Sequence, residues 1–167
     1  MPPTCTRGEE LGLPEVADLP DAVLQDPVRL RSAGMRKGRD GCRVPMPWGT
    51  TGPSYGFGTG SPWLPQPPSF GALSVDAQRE DPDSTLHLYR PAVRLRRAAG
   101  ADGRLVWNER ADPRLLDFTS GTLRCLVNAS TDDVSLDAAG TPALSSSPLP
   151  TSPDVLPPDT VIWYTGP

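Results

Sequence analysis

Lysine, histidine and cysteine are scarce in this sequence. Lys37 is the single lysine and His87 the single histidine, and the three cysteines, Cys5, Cys42 and Cys125, stand far apart. One histidine and no Cys-x-x-Cys pair leave too few donors for a zinc site, so neither a metal nor a cofactor is expected. An odd number of widely spaced cysteines fits free thiols in a reducing compartment better than a disulfide framework. No stretch approaches the roughly 18 apolar residues that a membrane helix requires. Met1–Arg7 (Met-Pro-Pro-Thr-Cys-Thr-Arg) has no apolar core of the kind a secretory leader carries. The expectation is therefore a cytoplasmic chain without a membrane partner. Positive charge is also in deficit, with 16 Lys and Arg against 20 Asp and Glu. A net charge of −4 supplies no basic field for nucleic acid.

Proline and glycine are abundant: 22 and 16 in 167 residues. That density favours loops and short strands over a helical bundle. The length suffices for one domain, or one small domain with part of another, and falls short of the roughly 250 residues of a complete (β/α)8 barrel. Gly8–Gly38 shows no long amphipathic helix, only room for a helical turn or two between Glu15 and Leu24, bounded by Pro14, Pro20 and Pro27. Gly41–Phe70 reads as a long loop interrupted by seven prolines, yet it carries Trp48, Tyr55, Phe57 and Trp63, aromatics that need a surface to pack on.

The spacing of Leu86, Tyr89, Val93 and Arg97 predicts a helix from about Thr85 to Ala99. Ser84 is its N-cap, arginines fill its last turns, and Gly100 stands where a left-handed C-terminal glycine is favoured. Pro91 should kink it or shift its start. Beyond Gly103 the period changes. Arg104–Asn108, Leu115–Phe118, Leu123–Asn128, Val134–Leu136 and Thr160–Tyr164 read as short strands, with Ser120-Gly121 as a hairpin turn and Thr141–Pro158 as a Pro/Ser-rich connection. A small antiparallel sandwich follows from this pattern. Asn128-Ala129-Ser130 matches a glycosylation sequon, which is read as coincidence in a chain without an export signal.

Several segments occur in an order that resembles one family: Gly8-Glu9-Glu10-Leu11-Gly12-Leu13-Pro14; Gly38-Arg39-Asp40-Gly41-Cys42-Arg43-Val44-Pro45-Met46-Pro47-Trp48; Pro53-Ser54-Tyr55-Gly56-Phe57; Trp63-Leu64-Pro65-Gln66-Pro67; Leu73–Gln78; Leu88-Tyr89-Arg90; and Pro158–Trp163. Together they resemble bacterial α-glucosidases of the α-amylase superfamily (glycoside hydrolase family 13), close to maltases and oligo-1,6-glucosidases. The resemblance implies an α+β chain. Residues 1–100 would be a terminal strand–helix remnant of a (β/α)8 barrel with its active-site-face loop, and residues 101–167 a small antiparallel β-sandwich. The strand expected before Gly8 has no counterpart in Met1–Arg7, and the earlier strands are missing, so the chain reads as the C-terminal portion of a longer enzyme.

Retaining glycosidases need two carboxyl groups about 5–5.5 Å apart. In the family these acids lie upstream of the segments found here, so no catalytic residue is assigned within this chain. Glu9 and Glu10 would face opposite ways on an extended segment, which does not suit a catalytic pair. Arg39, Asp40 and Arg43 are the candidate substrate-binding residues: the resemblance puts their loop at the mouth of the active site, and guanidinium donors suit sugar hydroxyls. The alternative for them is a loop-stabilising Asp40–arginine ion pair. Trp48 and Trp63 either stack on sugars or anchor the loop, and His87 is read as a solvated helix residue. The expected partners are α-glucoside oligosaccharides, met through the intact enzyme, together with the missing part of the barrel. The competing functional reading is a non-enzymatic module that binds glucan or complements a separate barrel fragment.

Overall fold

The computed structural model describes residues 8–100, 104–136, 141–148 and 154–166. The strand expected to precede Gly8 lies outside them. The chain divides into two compact units, Pro3–Tyr89 and Arg90–Pro167.

The first unit holds its shape with very little regular structure. Single 3-10 turns stand at Glu9–Leu11, Asp21–Val23, Asp40–Cys42 and Pro68–Gly71, a turn with left-handed backbone at Ser54 and Tyr55 occupies Pro53–Gly56, and the unit also holds two short helices, α1 (Pro27–Arg31) and α2 (Val75–Arg79). The 3-10 turn Asp21–Val23 lies within the stretch where a helical turn was expected, and helix α1 follows just beyond it. Its start is written in the sequence: Asp26 is the N-cap, accepting from the Val28 amide at 2.7 Å, and Pro27 occupies the first helical position, where no amide is needed. Glu9 and Glu10 sit on a tight turn, not on the extended segment expected of them, because Gly8 and Gly12 both adopt left-handed backbone and fold the chain around Leu11.

Proline blocks backbone pairing in this unit, so side chains replace the missing ladder. The buried Gln78 is the clearest case. Its Nε2 donates to the carbonyls of Leu11 (2.8 Å) and Leu73 (3.0 Å), and its Oε1 accepts from the Leu86 amide (3.0 Å). Leu11 and Phe70 are the largest fully buried side chains of this unit among the described residues. Each contributes about 1.5–3 kcal/mol by leaving water.

Helix α3 spans Thr85–Ala98. Ser84 Oγ accepts from the His87 amide at 3.3 Å, and Gly100 takes a left-handed φ of 61° after the last turn. The helix runs through Pro91, and none of its residues is fully buried.

The second unit carries an antiparallel sheet in the order β1 (Val106–Trp107), β2 (Leu115–Ser120), β3 (Leu123–Asn128), β7 (Thr160–Thr165), β5 (Leu144–Ser145), and a separate pair, β4 (Val134–Ser135) with β6 (Val155–Leu156). β5 and β6 lie in the Pro/Ser-rich stretch that composition marks as a connection. Each is only two residues long, too short to show a period. The β2–β3 turn is Gly121-Thr122, one residue later than expected, since Ser120 still pairs with Leu123. Gly121 supplies the left-handed φ of 59° that the turn requires. The register places Leu115 opposite Asn128, Leu126 opposite Ile162 and Arg124 opposite Tyr164. With alternating side chains, this puts Leu115, Leu126, Ile162 and Tyr164 on one face. There they form a single core with Val134 and Leu156 from the second sheet and Leu136 just after β4.

Candidate functional site

The loop Arg39–Arg43 is built around two buried carboxylates. Asp40 Oδ2 accepts from the amides of Gln25 and Asp26, each at 2.9 Å. Asp26 returns the contact: its Oδ1 caps α1 and its Oδ2 accepts from the Arg39 amide at 2.9 Å. Both acids are at least 95% buried. The guanidinium of Arg43 joins them, with Nη1 at 3.0 Å from Asp26 and 3.6 Å from Asp40, while half of its side chain remains exposed. The amides of Val28 and Arg39 hold the Asp26 carboxyl below the usual carboxylate range, with burial opposing and Arg43 assisting. Gly38 makes this geometry possible. Its φ is +80°, and a Cβ there would sit 2.5 Å from Asp26 Cβ.

Of the three residues singled out from sequence, the structure therefore joins Asp40 and Arg43 in an ion pair. Arg39 contributes its backbone amide, and its side chain is exposed. Sequence reasoning missed Asp26. The Asp-Pro step announces a helix cap, but an ion pair to an arginine 17 residues later leaves no local trace.

Arg43 lines a cleft of about 590 Å3 with Glu10, Cys42, Pro45, Trp48 and Phe57. This size is ordinary for small-molecule sites. Glu10 Oε2 accepts from the Gly8 amide at 3.0 Å. Trp48 and Phe57 are each about half exposed. They are tied together by an unusual backbone. Ser54 and Tyr55 both have positive φ (49° and 48°), a conformation that costs roughly 1–2 kcal/mol per non-glycine residue. Hydrogen bonds hold it: the Tyr55 carbonyl accepts from the amides of Trp48 and Gly49, both at 2.8 Å, and Ser54 Oγ donates to the Gly60 carbonyl. Trp63 is an anchor, its Nε1 donating to the Val23 carbonyl at 2.9 Å. His87 lies within hydrogen-bond distance of a backbone carbonyl, Nδ1 to Asp81 O at 2.6 Å. An arginine braced by carboxylates beside two half-exposed aromatic faces can donate to hydroxyl groups while the rings cover an apolar surface.

In the other unit, Asp117 is fully buried on β2 and draws together Asn108 (2.8 Å), Arg110 (2.6 Å) and Arg124 (3.1 and 2.7 Å). Burial pushes its pKa up, but the hydrogen bonds from Arg124, Asn108 and Arg110 outweigh that and hold it at about 2. This cluster ties β2 to β3 and to the 108–110 segment, and is structural. Cys125 is buried, and burial raises its thiol to about 11, so it is no nucleophile at neutral pH.

Residues 3–102 match the catalytic domain of the α-amylase family, and the chain belongs to that family. It is 45% identical over 92 residues to a probable α-glucosidase of Rhizobium meliloti, a match covering 55% of this chain and 16% of that protein. It is 31% identical over 112 residues to the oligo-1,6-glucosidase of Parageobacillus thermoglucosidasius, covering 57% and 20%. The chain thus spans about a sixth to a fifth of the length of these relatives. The solved structure of the α-glucosyl transfer enzyme XgtA superposes with a TM-score of 0.73 at 32% identity, over 96% of this chain and 32% of that one. A trehalulose synthase mutant superposes at 0.75 with 18% identity, a likeness of fold alone.

Proposed function

We propose that this chain is the C-terminal portion of an α-glucosidase that releases terminal α-linked glucose from maltose- or isomaltose-type oligosaccharides, the catalytic carboxylates being supplied by polypeptide outside this sequence. In this reading residues 1–100 belong to the catalytic barrel and residues 101–167 form the accessory β-sandwich. Arg39 and Arg43 contact the sugar beyond the bond that is cut, and Asp40, with Asp26, holds Arg43 in place. The observation that carries the reading is the position of Arg43: its guanidinium is braced by two buried carboxylates, yet half of it is open to a cleft flanked by Trp48 and Phe57. A guanidinium fixed in this way has already lost its rotamer freedom and can hydrogen-bond hydroxyls at little further entropic cost.

The test is an assay of the purified chain with nitrophenyl α-glucoside. No turnover is expected. Turnover abolished by substitutions within this chain would overturn the reading that its acids are not catalytic.

A second reading is a non-enzymatic module that binds glucan or complements a separate barrel fragment. It is favoured by the exposure of Trp48, Phe57 and Trp63 on the first unit. Titration with maltooligosaccharides and co-expression with a barrel fragment separate the two: binding or complementation supports a module, and failure of both removes it.

A further inference from the structure

Gln66 reaches across the aromatic loop. Its Nε2 donates to two carbonyls from different stretches of chain, Pro45 at 2.9 Å and Ser54 at 3.1 Å. Both amide protons are thereby used. Pro45 forms the wall of the cleft and leads through Met46 and Pro47 into Trp48. Ser54 opens the left-handed pair, and its carbonyl also accepts from the Phe57 amide at 3.0 Å. One side-chain nitrogen is therefore joined to the segment carrying Trp48 and to the segment carrying Phe57, the two aromatic lips of the cleft. The Tyr55 carbonyl makes a second tie between these segments by accepting from Trp48 and Gly49. That tie depends on the backbone conformation which the bond from Gln66 to Ser54 helps to hold. Residues in sparsely populated backbone regions persist where their surroundings over-determine them, and Gln66 is one such determinant.

We propose that Gln66 is a positioning residue that sets the spacing of Trp48 and Phe57, and through it which ring-bearing ligands the cleft admits. The first half of the proposal rests on the geometry above, and the second rests on the sugar-binding reading of the same cleft. Two neighbouring features fit a spacer role. Gln66 is flanked by Pro65 and Pro67, which fix the backbone that presents its side chain. The adjoining Leu64 is buried and anchors the segment. Glutamate could not replace it when ionised, because a carboxylate has no proton to donate and would face two carbonyl oxygens.

The whole chain, labelled with 5-fluorotryptophan, gives one fluorine resonance for each of Trp48, Trp63, Trp107 and Trp163. In Gln66→Leu the Trp48 line should shift or broaden while those of Trp107 and Trp163 stay in place. An unmoved Trp48 line overturns the positioning role. Should Gln66→Leu fail to fold, Gln66→Asn keeps the amide on a shorter stem and is read in the same way. The second measurement is the ratio of affinities for maltose and for nitrophenyl α-glucoside, two ligands of different bulk beyond the glucose ring. A general loss of folded protein lowers both affinities alike, whereas altered lip spacing should change their ratio by about threefold or more, the scale of one weakened hydrogen bond. An unchanged ratio overturns the selectivity role. If the unsubstituted chain binds neither sugar, the sugar reading of the cleft falls with its selectivity, and the fluorine spectrum still decides whether Gln66 positions Trp48.

Discussion

Asp40 holds the backbone of Asp26, and Asp26 holds the backbone of the residue before Asp40. Asp40 accepts the amide of Asp26 itself at 2.9 Å, and Asp26 accepts the amide of Arg39, the residue before Asp40, at 2.9 Å. The two acids are 14 residues apart in sequence, and Arg43 pairs with both from one side. Neither carboxylate can be removed without releasing amides that the loop has no other means of satisfying.

Asp26→Asn and Asp40→Asn should therefore each lower the urea midpoint of the first unit more than Arg43→Ala does, because Arg43 is half exposed and the acids are not. Arg43→Lys should keep most of the stability and lose the sugar contact proposed for Arg43, since an ammonium lacks the planar fork. Urea titration and sugar binding on the same samples check both. Equal destabilisation by Arg43→Ala and Asp26→Asn would contradict the account.

Acid should weaken the second unit through Asp117. Its folded pKa of about 2 lies below the ordinary value of 3.8. The unfolded chain therefore takes up the proton first as pH falls, and the contribution of Asp117 is complete above about pH 4 and lost between there and pH 2. Asp117→Asn should cost on the order of 3 kcal/mol at pH 7, the scale for breaking one member of a buried charged cluster. It should also flatten the profile in that window. Denaturation midpoints of the two proteins from pH 7 to pH 2 provide the comparison; parallel curves would mean that Asp117 is not the titrating group.

The sequon at Asn128 should never be modified in the folded protein. Asn128 is fully buried; its Nδ2 shares its two protons among the carbonyls of Asp132, Leu156 and Pro157, and its Oδ1 accepts from both the amide and the hydroxyl of Ser130. Asn128→Ala leaves several buried carbonyls unsatisfied and should cost about 1–3 kcal/mol. Intact mass after refolding and exposure to an oligosaccharyltransferase should be unchanged; a glycan on Asn128 would show that the strand opens.

Gly121→Ala should destabilise the second unit by about 1–2 kcal/mol for the left-handed backbone alone. A further cost follows because the new Cβ would lie 2.2 Å from the Ala99 carbonyl, which also accepts from the Thr122 amide. Gly100→Ala, also at positive φ but with open space around it, isolates the backbone term. Thermal melts of the two variants should differ by several degrees.

The sequence by itself determined the elements whose signals are local. Ser84 and Gly100 bracket α3 because capping and left-handed backbone are chemistry of a few neighbouring residues, and β2, β3 and β7 show themselves because six residues suffice to reveal a strand. The family motifs were legible for the same reason, as unbroken words along the chain. Tertiary structure alone decided the rest. The two-residue strands β5 and β6 exist only because β7 and β4 supply their hydrogen-bond partners. The turn after Ser120 moved by one residue because pairing with Leu123 completes the ladder. Arg39, Asp40 and Arg43 could be marked as interesting charges, but the bracing of Arg43 by Asp26, and the bridge from Gln66 to Pro45 and Ser54, needed distant segments brought together. A hydrogen bond acts over 3 Å whatever the separation in sequence, and in a loop rich in proline no periodicity records which segments will meet.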